Sequence, residues 1–208
     1  MVKFSQLRIW SVIILILCAA VLSPASAAPL QSVEGATSTL DLLLEHDDAV
    51  SVLINQLSAR NLITVPPDQF KTLLTDSLLD MTSQEIPEIA PGCLLPYTIA
   101  ATTLLTYTPT MFILFLNELT NGDEECALMY GSWSIAGICF ALASWTQYRI
   151  CAELNADTPD QNTIARLQND LTTMEIGALA AAGSALVFRT NCSSSSFKLT
   201  GLGRKKKR

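Results

Sequence analysis

The residues of this chain best suited to chemistry are its one histidine, with the acids around it, and its six cysteines. His46 lies in the run Glu45-His46-Asp47-Asp48, whose side-chain types can bind a metal ion. Neighbouring residues of a helix point in different directions, however, and no second histidine or nearby cysteine completes a site. We therefore expect a solvated helix face here and no metal site.

Signatures of common catalytic sites are missing from the sequence. It contains no G-x-S-x-G, H-E-x-x-H, P-loop or G-x-G-x-x-G motif. A single histidine excludes most histidine-based acid–base schemes. The long apolar segments hold no Asp, Lys, Glu or His except Glu175 at an edge, so they offer no catalytic pair or proton relay. We expect a protein that is not an enzyme and needs no cofactor.

Four cysteines flank the apolar segments in two groups. Cys93 precedes the first segment and Cys151 follows the second, so two consecutive membrane crossings bring both to one face. If that face is lumenal, they are candidates for a disulfide that clamps the two segments, and two free buried thiols are the alternative. Cys126 and Cys192 fall at the opposite face, where they are candidates for S-acylation.

The C-terminus carries a basic cluster made of Arg204, Lys205, Lys206, Lys207 and Arg208. Lysines at the third- and fourth-from-last positions match a dilysine signal for retrieval to the endoplasmic reticulum, which coat proteins read in the cytosol. The cluster is also suited to anionic lipid. A purely topogenic role, fixing the orientation of the chain, is the alternative.

The elements that position these residues are predicted to be helices, several of them apolar. The chain of 208 residues is 50% hydrophobic and only 15% charged, against about 25% charged in ordinary soluble domains. Residues 1–27 are predicted to form a cleavable signal peptide, because Lys3 and Arg8 precede an apolar run that is followed by Ala25-Ser26-Ala27. A retained signal anchor is the alternative, and either directs the following residues into the lumen.

Residues 28–93 are predicted to form an acidic helical lumenal domain. Two amphipathic patterns follow each other, one from Leu40 onward and one that begins at Pro67. A segment of this size cannot bury a sizeable core alone. We expect its apolar stripes to pack on each other, on the membrane face or on a partner.

Three transmembrane helices follow, at residues 94–116, 127–148 and 159–188, and the third begins as an amphipathic helix. Pro109 is predicted to kink the first. The third is the weakest candidate, and a buried or interfacial helix that does not cross is the alternative. Its small residues Gly177, Ala181 and Ala185 recur every four positions and predict a helix-packing face.

These segments predict an all-α membrane protein with a signal peptide, a small lumenal domain, three spans and a disordered basic tail at 189–208. The N-terminus would be lumenal and the C-terminus cytosolic, which agrees with the positive-inside rule for the tail. We expect a non-enzymatic multi-pass protein of the endoplasmic reticulum or early secretory pathway, acting as a structural or adaptor subunit. The alternatives are a viral membrane or virion protein whose tail is internal, and a small channel or transporter subunit.

Its expected partners are the lipid bilayer, other membrane helices or lumenal proteins, and coat proteins or anionic lipid at the tail, with a homo-oligomer as a further option.

Overall fold

The computed structural model describes residues 28–59, 65–83, 89 and 92–192 of the chain. Within these ranges the backbone forms helices and turns and no strand, so the predicted all-α class is confirmed. The predicted signal peptide, 1–27, lies outside the described residues. So does the greater part of the predicted basic tail, 193–208, including the cluster from Arg204 to Arg208.

Seven α-helices and one π-helical segment make up the described chain. They are α1 (Ala28–Glu45), α2 (Asp47–Ala59), α3 (Pro67–Ser83), α4 (Leu94–Thr102), the π segment (Thr103–Tyr107), α5 (Thr108–Asn121), α6 (Glu124–Leu154) and α7 (Gln161–Arg189). The helices α4 and α5 run on through the π segment as one continuous helix of 28 residues.

Three helices are long and apolar enough to cross a membrane. They are Leu94–Asn121, Glu124–Leu154 and Gln161–Arg189, with 28, 31 and 29 residues. About twenty residues suffice to cross the hydrocarbon core, so each has length to spare. These helices indicate a membrane location and a lipid environment for the protein.

A tight turn reverses the chain between α5 and α6. Gly122 adopts a left-handed conformation with φ of 76°, which costs glycine little, and its N–H bonds to the carbonyl of Leu119. Asp123 then caps α6, because its carboxylate accepts a hydrogen bond of 3.2 Å from the backbone N–H of Cys126. The two helices therefore run antiparallel.

The start of α7 differs from its predicted boundary at residue 159. The helix begins at Gln161, because the carboxylate of Asp160 accepts hydrogen bonds from the backbone N–H of Asn162 at 3.0 Å and the hydroxyl of Thr163 at 2.7 Å. The backbone N–H of Asp160 donates to Glu153 at 2.8 Å, which ties the cap to the end of α6. Asp160 is therefore the N-cap residue of α7.

The centre of the molecule is α6, which packs between the α4–α5 helix and α7. In the most apolar 18-residue stretch of α6, 83% of the residues are buried. The same share is 39% for α4–α5 and 28% for α7. Those two helices therefore present much of their apolar surface outward, whereas most of α6 is enclosed by protein. Gly131 allows close packing on α6, because a β-carbon there would lie 2.8 Å from the side chain of Leu53.

The helices α1 to α3 lie against the three long helices and do not stand apart from them. Helix α1 packs along α4 and the π segment, and α3 packs on both α1 and α6. Their apolar stripes supply a large part of the common core, including Val50, Leu53, Phe70, Leu74 and Leu78. The predicted stripe from Leu40 is divided in two at His46, where α1 ends and α2 begins.

Candidate functional site

Two cysteine pairs hold α6, one at each end. Cys93 immediately precedes α4 and is joined to Cys151 near the end of α6, with their Cα atoms 5.7 Å apart. This is the pair that the sequence pattern selected. The amide of Asn155, which caps α6, donates to the carbonyl of Cys151 at 2.8 Å and lies 3.7 Å from the Cys93 sulfur.

The second pair joins Cys126, in the first turn of α6, to Cys192, just after α7. Their Cα atoms are 4.7 Å apart, inside the range of about 4.4–6.8 Å that disulfides occupy. A sulfur in a disulfide cannot carry an acyl chain, so this pairing is an alternative to the predicted S-acylation of both residues. The pairing was not predicted, although the antiparallel course of α6 and α7 already places these residues at one end.

An aromatic cluster fills the core beside the Cys93–Cys151 pair. The rings of Tyr97 and Tyr148 lie 5.0 Å apart at their centroids, and Trp145 stacks on Tyr148 at 5.2 Å. Trp145 is only 2% exposed and Tyr148 only 6%. Both side chains are therefore inside the bundle and not at its surface.

The π segment lies just before Pro109, where the sequence predicts a kink. The backbone N–H of Thr108 bonds to the carbonyl of Thr103, five residues back, and Pro109 has no N–H to offer. The carbonyl of Leu104 is thereby left without either backbone donor. Thr39 of α1 donates its hydroxyl to that carbonyl at 3.3 Å in a buried position.

The close contact between α1 and the π segment depends on a small residue. A β-carbon at Gly35 would lie 2.9 Å from the backbone nitrogen of Leu105 and 3.2 Å from the backbone carbon of Leu104. Only glycine lets the two backbones approach this closely without a shift. The part of the first long helix around the π segment is therefore covered by α1.

The predicted packing residues of α7 lie toward α6. Ala181 is 1% exposed and Ala185 is fully buried. A β-carbon at Gly177 would lie 3.2 Å from the Cys139 sulfur and 3.4 Å from the ring of Phe70. Gly177 is therefore a meeting point of α3, α6 and α7 halfway along α6.

The surface of α1 to α3 is acidic. Its exposed carboxylates are those of Glu34, Asp41, Glu45, Asp47, Asp48, Asp68 and Asp76. Lys71 pairs with Asp47 and donates to the Ser51 hydroxyl at 2.9 Å. Asp80 of α3 accepts a hydrogen bond of 2.6 Å from Arg149 of α6.

A cleft of about 410 Å³ opens between the junction of α1 and α2 and the outer side of α3. Asp47, Asp68, Lys71 and Asp76 line it together with apolar residues. Within the described ranges no group of three or more His, Cys, Asp or Glu side chains is arranged to hold a metal ion. Glu45, Asp47 and Asp48 are exposed, as expected of a solvated face, whereas His46 is half-buried with the centroid of its ring 5.8 Å from that of Phe112.

Exposed large apolar side chains are concentrated away from α1 to α3. Those three helices carry Leu44, Val52 and Leu79. The others lie on α4–α5, α6 and α7, and they are Leu94, Leu95, Leu105, Ile113, Leu119, Phe140, Leu154, Ile176, Leu179, Leu186 and Val187. We call the last four, all on α7, the outer face of α7.

The position of a residue along the axis of α6 determines whether that residue would lie inside a bilayer that α6 crossed. Cys139 is the midpoint of α6. The ring of Phe70 lies at the same height along α6, because both side chains lie beside Gly177. Asp68 and Lys71 are within one turn of Phe70 on α3. A charge at the centre of a bilayer costs about 3 kcal/mol on insertion scales, so charged side chains here favour water beside α3.

Comparison with protein-family models, with curated proteins and with solved structures finds no match to this chain.

Proposed function

We propose that this protein is a non-enzymatic structural or adaptor protein of a secretory-pathway membrane, with the endoplasmic reticulum as the compartment that the sequence favours. The observation that supports the proposal is the division of its surface. Acidic side chains cover α1 to α3, whereas exposed apolar side chains are concentrated on the three long helices.

The apolar part of this surface is suited to lipid or to the helices of other membrane proteins. Leu179 is 75% exposed, and Leu186 and Val187 are 52% and 57% exposed, although all three are large apolar residues. Soluble monomers rarely expose contiguous apolar patches of this kind. Arg189 follows directly at the end of α7, where a cation can meet lipid headgroups.

The acidic part is suited to water and to a basic protein surface in the lumen. Asp41, Asp68 and Asp76 are exposed and have no basic neighbour in the same helix except Lys71, which is already paired with Asp47. Like-signed charge over one surface steers an oppositely charged partner and weakens with salt. This surface is the proposed adaptor face.

The test of membrane contact compares two triple variants of the full-length chain expressed in cells. The first replaces Leu179, Leu186 and Val187 with serine. The matched control replaces Leu44, Val52 and Leu79, which are 58%, 55% and 55% exposed but lie on α1 to α3. We expect the first variant to lose several-fold recovery in salt-washed membranes and the control to keep it.

A wild-type protein that stays in the soluble fraction would contradict the proposal. Equal recovery of the two variants would show that the outer face of α7 is not what holds the protein to the membrane. Both variants must retain their helical circular dichroism and the Cys93–Cys151 link, so that loss of binding is not loss of folding.

The adaptor face is tested by chemical crosslinking in intact cells. Replacement of Asp41, Asp68 and Asp76 with asparagine is expected to reduce crosslinks to lumenal proteins without changing membrane recovery. Unchanged crosslinks would remove the adaptor part of the proposal and leave the structural part.

The side of the membrane that holds the C-terminus is a separate matter. The sequence predicts the cytosol, where the basic cluster from Arg204 to Arg208 would meet coat proteins. The cysteine pair Cys126–Cys192 favours the opposite side, because disulfides persist in the lumen and not in the cytosol.

A further inference from the structure

The two cysteine pairs lie too far apart for both to sit on one side of a membrane that α6 crosses. At about 1.5 Å rise per residue, the helix between Cys126 and Cys151 is about 37 Å long. The hydrocarbon core of a bilayer is about 30 Å thick. If α6 crosses, one pair therefore lies in the lumen and the other in the cytosol.

Disulfides persist in the lumen and outside the cell, whereas the cytosol keeps thiols reduced. The structure joins Cys93 to Cys151 and Cys126 to Cys192 by the same kind of contact, with Cα separations of 5.7 and 4.7 Å. Both pairs can be closed in the same molecule only if both ends of α6 face an oxidising compartment.

The packing of α3 supports the same conclusion independently. Phe70 lies against Gly177 at the level of Cys139, the midpoint of α6. Asp68 is exposed one turn from this level, and Lys71 is partly exposed beside it. If α6 crossed a bilayer, these charges would lie near its centre, where charged side chains are disfavoured.

Enclosure of α6 is a third observation. Its apolar window is 83% buried inside the protein, and its aromatic residues Trp145 and Tyr148 are in the core. Protein neighbours thus account for most of the apolar character of α6, and Phe140 and Leu154 are its exposed large apolar side chains.

We infer that both ends of α6 lie in the lumen or outside the cell, and that α6 does not cross the membrane. The inference rests on the proposed targeting to the secretory pathway. The bundle holds to the bilayer through the exposed apolar side chains of α4–α5 and the outer face of α7, with α1 to α3 in water. The basic cluster from Arg204 to Arg208 then lies where coat proteins cannot reach it.

The test uses the full-length chain translated into sealed microsomes, with a peptide tag inserted just before Arg204. Free thiols are blocked with a membrane-permeant maleimide, and linked peptides are identified by mass spectrometry without reduction. Protease added outside the vesicles, with and without detergent, reports the side on which the tag lies.

We expect both linked peptides, Cys93–Cys151 and Cys126–Cys192, and a tag that survives protease until detergent is added. Maleimide on Cys126 and Cys192 would overturn the inference, and so would a tag digested in sealed vesicles. The variant Cys139→Ser is the matched control, because Cys139 is the free thiol among the described residues and its loss should leave both links intact.

Failure of this inference and failure of the proposed function give different results. A closed Cys93–Cys151 pair with an open Cys126–Cys192 pair and a digested tag means three crossings, which leaves the proposed function in place. Loss of both links together with digestion of α1 to α3 in sealed vesicles means that the chain never reached the lumen, which removes the proposed function as well.

A second readout does not depend on the tag. Replacing Lys205 and Lys206 with serine is expected to leave the cellular location unchanged, because a lumenal tail is not read as a dilysine signal. Redistribution of this variant to later compartments would place the tail in the cytosol and contradict the inference.

Discussion

The hydroxyl of Thr39 donates to the carbonyl of Leu104 at 3.3 Å, across 65 residues of sequence and in a buried position. The carbonyl is available because the π segment and Pro109 together leave it without a backbone donor. One proline in the first long helix is thereby linked to one threonine in α1. The contact joins the amphipathic N-terminal helices to the apolar ones.

Replacing Thr39 with valine should lower the free energy of unfolding by about 1–2 kcal/mol, because a buried carbonyl loses its partner. Thr82→Val is the control, since the hydroxyl of Thr82 is bonded only to the carbonyl of Leu79 in its own helix. Denaturant unfolding of the purified protein in mild detergent, followed by circular dichroism, measures both. Equal stability of the two variants would show that the Thr39 contact contributes nothing.

Two glycine-to-alanine changes should have opposite effects. Gly35→Ala places a β-carbon 2.9 Å from the Leu105 nitrogen, so α1 must shift, and we expect a loss of about 1–3 kcal/mol. Gly183→Ala, in α7, meets nothing within 4 Å and should gain about 0.5–1 kcal/mol from its better helix propensity. The thermal unfolding midpoints of both variants and of wild type measure these effects. A Gly35→Ala variant more stable than wild type would contradict the close contact between α1 and the π segment.

The ion pair between Asp80 and Arg149 should couple α3 to α6 weakly. The pair is partly exposed, with 41% and 25% of the two side chains accessible, so solvent screens it. A double-mutant cycle with Asp80→Asn and Arg149→Gln should give a coupling of about 0.5–1 kcal/mol that shrinks at high salt. Strictly additive single effects would show that the pair makes no contribution of its own.

The cap of α7 should make stability depend on pH in the acidic range. Hydrogen bonds from the Thr163 hydroxyl and then the Asn162 N–H lower the pKa of Asp160 below its ordinary value of 3.8. Because the folded-state pKa is the lower one, the stabilisation is present above the unfolded value and is lost as pH falls through the folded value.

Asp160→Asn keeps a capping acceptor but cannot titrate, so its unfolding midpoint should change less than that of wild type over this pH range. Asp160→Ala should lower the midpoint at neutral pH as well. A gain in the stability of wild type on acidification, relative to that of Asp160→Asn, would contradict the lowered pKa of Asp160.

Local patterns in the sequence predicted the three long helices well, because a long uncharged run avoids water whether protein or lipid covers it. The three segments at 94–116, 127–148 and 159–188 lie almost entirely inside the three long helices. Their ends extend further, since Gly122 and Asp123 make a two-residue turn. The meeting of Cys93 and Cys151 also followed from the alternation of antiparallel helices.

The rest of the arrangement depends on contacts that no local pattern contains. Nothing in the spacing of Thr39 indicates that it reaches Leu104, because that contact requires a π segment as well as a proline. The position of Phe70 beside Cys139 likewise depends on how α3 crosses α6. The sequence analysis placed Cys126 and Cys192 at one face but assigned that face to the cytosol, where thiols stay reduced, so their pairing was not predicted.

With both pairs closed, the chain from Cys93 to Cys192 forms two overlapping covalent rings that share most of α6. A single cut in the turn at Gly122 leaves its two pieces joined through Cys93–Cys151. A cut in the α6–α7 connection leaves its pieces joined through Cys126–Cys192. The protein can therefore be nicked at either turn and keep its full mass until a reductant separates the fragments.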